Sequence, residues 1–93
     1  MFDFSKRTLL LTGAAGGIGR GIAQEFFAAG ANVVLADLNE KGAAKAAQAI
    51  DAGGSRTDAV KLEASNPADV EHAIERCLER FGRLDYLVTA AAI

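Results

Sequence analysis

Four glycines fall within seven residues near the start of the chain, in the stretch TGAAGGIGR from Thr12 to Arg20. A turn without side chains lets a ligand touch the backbone itself. Where such a turn opens a helix, unpartnered N–H groups and the helix dipole attract an anion, and a pyrophosphate fits there. Two glycine spacings are satisfied: T-G-x-x-x-G-x-G through Gly13, Gly17 and Gly19, and G-x-x-G-x-x-G through Gly13, Gly16 and Gly19. The strict G-x-G-x-x-G fingerprint is absent, and so is the Gly-Lys-Ser/Thr ending of a P-loop. Ala14, Ala15 and Ile18 carry no charge, so backbone dipoles must hold any anion. In the first spacing Gly13 turns sharply after a strand, Gly17 lets phosphates reach the backbone, and Gly19 lets the helix pack closely.

A carboxylate follows at the expected distance. Asp37 lies 18 positions after Gly19, near the ~20 of an acid that binds the adenosine ribose through its hydroxyls. It would repel a 2′-phosphate. Leu38 comes next, and no Arg or Lys lies there or among Ala14 to Gly17, so the charge pattern predicts NAD over NADP. The competing use of Asp37 is a turn or helix cap near Asn39. Other chemistry is sparse. Cys77 is the one cysteine and His72 the one histidine, so no intrachain disulfide, CxxC site or His/Cys zinc site is expected. Cys77 reads as a buried structural thiol and His72 as solvated. Arg20 can reach a pyrophosphate or form a salt bridge, and Asp85 reads as a turn or backbone partner.

The elements that must position these residues alternate. TLLLT, Thr8 to Thr12, is a short buried strand running into the glycine turn. Ile18, Ile22 and Phe26, with Ala23 and Phe27 beside them, mark one helix face, and Gly30 ends that helix. NVVLAD, Asn32 to Asp37, is a second strand. Asn39 caps a second helix with Glu40 in its first turn, and Gly53 and Gly54 stop it. Ala59 to Glu63 is a third strand. Asn66-Pro67 opens a third helix, faced by Val70, Ile74, Cys77, Leu78 and Phe81 and capped by Gly82. Leu84 to Ala90 is the fourth strand. A β-α-β-α-β-α-β order predicts an α/β fold with a doubly wound parallel sheet of Rossmann type, of which only the first half is present.

The 93 residues suit one modest core. With 51% hydrophobic and 24% charged residues and a net charge of −2, nothing marks a nucleic-acid surface. No apolar run approaches a membrane span, and no signal peptide is evident, which predicts a cytoplasmic protein.

Taken in order, TGAAGGIG, the Asp37 strand end, LEASNPADV and FGRLDYLVTAAAI resemble the N-terminal half of a short-chain dehydrogenase/reductase. The resemblance covers essentially the whole chain and selects Gly13, Gly17 and Gly19 as the working spacing. It implies that Ala15, Gly16 and Ile18 approach the ribose, phosphates and nicotinamide, and that Asp37 binds the adenosine ribose. The cofactor-binding set so defined is Gly13, Ala15, Gly16, Gly17, Ile18, Gly19, Asp37, Leu38, Glu63, Ala64, Ala90 and Ala91. Two departures stand out. The family places Asp where Glu63 stands, at the adenine. It has N-N-A-G where this chain reads Thr89-Ala90-Ala91-Ala92, losing an amide that braces the central strands and gaining a methyl beside the cofactor.

The family's catalytic Ser and Tyr-x-x-x-Lys have no counterpart in these 93 residues: four positions after Tyr86 stands Ala90, and Ser5, Ser55 and Ser65 all precede the fourth strand. The expectation is therefore residues 1–93 as the cofactor half of a longer NAD-dependent enzyme for a small alcohol or carbonyl substrate. It is expected to be inactive alone and homo-oligomeric in its parent. Leu84 to Ala92 would form an exposed apolar edge. The alternative is a non-catalytic nucleotide-binding or interaction module, a half-domain completed by dimerisation.

Overall fold

The computed structural model describes residues 3–90. Four parallel strands form one sheet: β1 (Thr8–Thr12), β2 (Asn32–Asp37), β3 (Thr57–Lys61) and β4 (Tyr86–Thr89), in the order β3-β2-β1-β4. Helices α1 (Gly17–Ala28), α2 (Glu40–Ile50) and α3 (Pro67–Phe81) connect them. This is the predicted Rossmann-like arrangement.

Alternation along β1 divides the core. Leu9 and Leu11 join Val33, Leu35 and the alanines Ala23, Ala43, Ala46 and Ala47 on the face covered by α1 and α2. Leu10 joins Val34, Ala36, Val60, Leu62, Ala73 and Cys77 on the α3 face. Both sheet faces are thus covered at β1 and β2, and all five residues of β1 are buried. Small residues on α1 and α2 let these helices lie close to the large side chains of the strands. Burial pushes the Cys77 thiol up to about 11, so this sulfur is inert packing.

The caps follow local chemistry. The Asn39 side chain accepts from the Gly42 amide and that of Asn66 from the Ala68 amide, with Pro67 opening α3. Gly82 ends α3 in the left-handed region at φ 77°. Four expectations shift. β3 runs two residues earlier than Ala59 to Glu63, because Asp51 holds the Arg56 amide at 3.0 Å and brings Thr57 opposite Val33. At its other end the Glu63 amide is drawn off by the Asp69 carboxylate at 2.9 Å. α2 stops at Ile50, ahead of Gly53 and Gly54, where Asp51 leaves helical geometry. β4 is shorter than Leu84 to Ala90, since it pairs only with the short β1. Finally, Ile18 is 76% and Leu78 49% exposed. Gly19 and Ala73 occupy the inward positions instead.

β4 is an edge strand in the described sheet, and Leu87 on it is 56% exposed. Ala91 and Ala92 of the expected apolar edge lie outside the described residues. Two tethers hold β4 to the start of the chain. Asp85 accepts the Thr8 amide at 2.8 Å and a two-pronged contact from Arg83 at 2.7 and 2.8 Å. The Arg83 guanidinium and then the Thr8 amide hold this carboxyl below its ordinary range. Tyr86 meets Phe4 and Phe26, which stack at 5.1 Å.

Arg56 bridges β3 to α1. It donates to the carbonyls of Phe27 and Ala31 at 3.2 and 2.8 Å, and its guanidinium lies 3.8 Å from the Phe27 ring centre. Lys6 carries a left-handed backbone at φ 68° in the turn closed by Arg7 and Phe4. A side chain there costs about 1–2 kcal/mol, partly offset by the greater chain entropy of glycine. Lys6→Gly is therefore expected to raise unfolding free energy by about 0.5–1 kcal/mol, as a higher urea midpoint at unchanged slope.

Candidate functional site

The site forms where the strand order reverses. β1 sends its chain through α1 to β2 on one side, and α3 returns it to β4 on the other. Loops at the carboxyl ends of β1 and β4 diverge there and leave a crevice. A cleft of about 440 Å³ occupies this position.

The glycine turn builds one wall. Gly13 adopts φ 73°, reversing the chain straight out of β1. The Ala14 amide still donates to Ala36 at 3.1 Å, so the turn remains anchored to β2. Gly16 is the N-cap of α1 and offers no side-chain cap. The next helical amide, that of Arg20, donates to the Gly16 carbonyl at 2.9 Å. The first-turn amides ahead of it are therefore uncapped by any side chain, the condition for an anion to be welcome.

The three glycines of the favoured spacing do different things. A Cβ on Gly19 would lie 2.3 Å from the Gly13 carbonyl oxygen and 3.0 Å from the Ala14 Cα. Gly19 is thus required by the turn's own packing. A Cβ on Gly17 would meet nothing within 4 Å. The protein leaves open space there, and a side chain would obstruct only something arriving from outside. Gly16 tolerates a Cβ at an ordinary 3.7 Å, in keeping with its place outside the favoured spacing.

Asp37 ends β2 at the lip of the cleft. Its Oδ2 accepts the Ala15 amide at 2.9 Å and its Oδ1 accepts the Asn39 amide at 2.8 Å. The turn-capping use of this residue is therefore real, and it extends to the glycine turn itself.

Of the expected residues, Gly13, Gly16, Asp37, Leu38, Ala64 and Ala90 line the cleft. Thr12, Leu62 and Thr89 line it too and were not in the expected set. Leu38 is 62% exposed, an apolar platform beside the carboxylate. Ala15 is tied to Asp37 without lining the cleft, Gly17 and Ile18 lie exposed on the first turn of α1, and Gly19 is buried under it. Glu63 lines a second, neighbouring cleft of about 420 Å³ with Lys61, Asp69, His72 and Arg76, and accepts the Ser65 hydroxyl. Ala91 lies outside the described residues. Arg20 is exposed and makes no ion pair with a described residue.

Gly42 is a contact that helix propensity concealed. A Cβ there would sit 2.8 Å from the Ala15 Cβ and 2.7 Å from the Asn39 side-chain nitrogen. The first turn of α2 thus rests directly on the glycine turn. Tyr86 belongs to the aromatic packing described above and does not line the cleft. Among the described residues no group of three metal-ligating side chains converges, and no helix is long and apolar enough to cross a membrane.

These features define a Rossmann-like α/β protein with a glycine turn at its strand switch. Comparison with known proteins makes the class specific. The family model for short chain dehydrogenases matches residues 7–93, and the chain belongs to that family. It is 41% identical over 87 residues to 3beta-hydroxysteroid dehydrogenase 2 of Eggerthella lenta, covering 94% of this chain and 34% of that protein. The crystal structure of a short-chain dehydrogenase/reductase, a glucose/ribitol dehydrogenase from Brucella melitensis, superposes with a TM-score of 0.92 at 46% identity. It covers 99% of this chain and 38% of that one. A 3-ketoacyl-(acyl-carrier-protein) reductase from Brucella melitensis, complexed with NADH, matches with a TM-score of 0.84 at 38% identity, over 91% of this chain and 34% of that one. The chain therefore spans about a third of the length of these relatives. The family's members are oxidoreductases, which favours that reading over an interaction module.

Proposed function

We propose that this chain is the dinucleotide-binding portion of an oxidoreductase that moves a hydride between a nicotinamide cofactor and a small alcohol or carbonyl compound. NAD is the preferred cofactor. The observation that carries this reading is the Asp37 carboxylate at the lip of the cleft, beside an uncapped helix start.

The residues present fit such a group. The open space over Gly17 admits phosphate oxygens to the α1 amides, where the helix dipole favours negative charge. Asp37 spends one lone pair of each oxygen on a backbone amide. A carboxylate has about four acceptor positions, so two remain for ribose hydroxyls. Leu38, Leu62 and Ala64 give an apolar wall for a base, and Glu63 takes no part in it. On the β4 side, Thr89 and Ala90 bound the cleft near the switch point. When bound, the nicotinamide ring accepts or supplies the hydride. These residues bind and orient; none is a general acid or base of suitable placement, so binding without turnover is expected of residues 1–93 by themselves. We take the parent to be a cytoplasmic homo-oligomer that gains its proton-transfer residues from sequence beyond this stretch.

Titration calorimetry tests the cofactor preference. NAD is expected to bind at least about tenfold more tightly than NADP, the factor that ~1.4 kcal/mol of carboxylate–phosphate repulsion supplies. Equal affinities, or a preference for NADP, would overturn the assignment of Asp37.

A further inference from the structure

Asp37 is bonded to the glycine turn itself, and this suggests a second role. The geometry points to Asp37 as a clasp: a positioning residue that fixes the glycine turn and the start of α2 in one arrangement, independently of any contact with ribose. One carboxylate oxygen holds the amide of Ala15, within the turn, at 2.9 Å. The other holds the amide of Asn39, the N-cap of α2, at 2.8 Å. Asn39 in turn accepts the Gly42 amide at 3.0 Å, and Gly42 lies against Ala15. The circuit Ala15–Asp37–Asn39–Gly42 thus closes on itself.

Ala15 sits between Gly13 and Gly17, where the backbone has the most freedom to leave its shape. No side chain caps α1 to hold the turn from the helix side. The carboxylate is a charge-assisted acceptor, stronger than a neutral one. Without it the turn must be ordered at the moment of binding, and affinity falls by that ordering cost. The clasp has a consequence for specificity. Neutralising Asp37 removes the repulsion of a 2′-phosphate and also loosens the cradle for both phosphates of the pyrophosphate. Such a variant is not converted into a good NADP binder.

The ligand part of this inference rests on the cofactor reading above; the ligand-free part does not. The experiment uses the 93-residue chain, Asp37→Ala and the isosteric Asp37→Asn. Amide hydrogen exchange is read residue by residue, and binding is titrated with ADP and with 2′,3′-dideoxy-ADP, which lacks both ribose hydroxyls. The clasp predicts that exchange at Ala15 and Asn39 quickens about tenfold or more in Asp37→Ala, while the β1 amides of Leu9 to Leu11 keep their protection. It also predicts that dideoxy-ADP binding weakens in Asp37→Ala, although that ligand offers the carboxylate nothing to hold. Asp37→Asn, with one acceptor oxygen left, should lose one of the two amide bonds and fall between. Unchanged exchange at Ala15, or a loss confined to ADP, would overturn the clasp. If the unaltered chain binds neither nucleotide, the cofactor reading fails while the exchange result still decides the clasp.

Discussion

Gly19→Ala is expected to cost about 3 kcal/mol of stability and to abolish measurable dinucleotide binding. The added methyl would sit 2.3 Å from the Gly13 carbonyl oxygen and 3.0 Å from the Ala14 Cα. Both are backbone atoms of the turn, and no side-chain rotation relieves the contact. Either α1 lifts from the sheet or the turn is pushed outward. Lifting α1 exposes Ala23 and loosens Ile22 and Phe26 against the core. Pushing the turn breaks the Ala14-to-Ala36 and Ala15-to-Asp37 bonds that anchor it. Helix propensity alone would favour the alanine by about 1 kcal/mol, so the sign of the change separates the two effects. Overpacking of this kind costs about 1–3 kcal/mol where neighbours can yield, and here they are backbone. Urea unfolding measures the loss. Gly17→Ala is the matched control: it has open space for its Cβ and should keep stability while weakening binding. A Gly19→Ala protein as stable as its parent would refute the packing role.

Leu10→Ala should be the most damaging truncation on the α3 side, costing about 3–4 kcal/mol. Leu10 is fully buried in the central strand, between β2 and β4, among Val34, Ala73 and Cys77. Leucine-to-alanine changes at such sites cost about 2–5 kcal/mol, the larger values where surroundings cannot collapse into the gap. β1 is tied on both edges by parallel ladders and cannot shift. A domain of this size holds about 5–10 kcal/mol in total, so roughly half would be lost. A denaturation midpoint close to that of the unaltered chain would show that the α3 layer contributes little.

The elements were legible because their signals are local. Asn39 and Asn66-Pro67 act within one helical turn of themselves, and Gly82 supplies the left-handed cap its position demands. TLLLT and NVVLAD read correctly because strands covered on both faces need no alternation. β3 was displaced because its limits are set by remote partners, with Asp51 bringing in Thr57 and Asp69 drawing off Glu63. Ile18 and Leu78 fitted a periodic face but not the particular sheet beneath it, where Gly19 and Ala73 fit instead. At the site, Gly13, Asp37 and Leu38 were accessible to spacing arguments. Leu62 was hidden by the misplaced strand end. Gly42 was hidden among helix-forming alanines, because a clash with a residue 27 positions earlier leaves no trace in local sequence. The Ala15 amide on Asp37 was equally invisible, since it depends on how close β2 brings its end to the turn after β1, whereas the Asn39 amide is the local turn cap that spacing had offered.

The tie between Thr8 and Asp85 spans 77 residues, and it sets an order of assembly. β1, β2 and β3 pair with neighbours that precede or follow them by one helix, so their contacts form across short stretches of chain. β4 must travel back past β3 and β2 to reach the free side of β1. Its closure pays the largest loop entropy in the fold and comes last. On a ribosome the inner strand would wait, one edge unpaired, until Asp85 and Tyr86 had emerged. During that interval the unpaired backbone edge of β1 is the surface most in need of a chaperone.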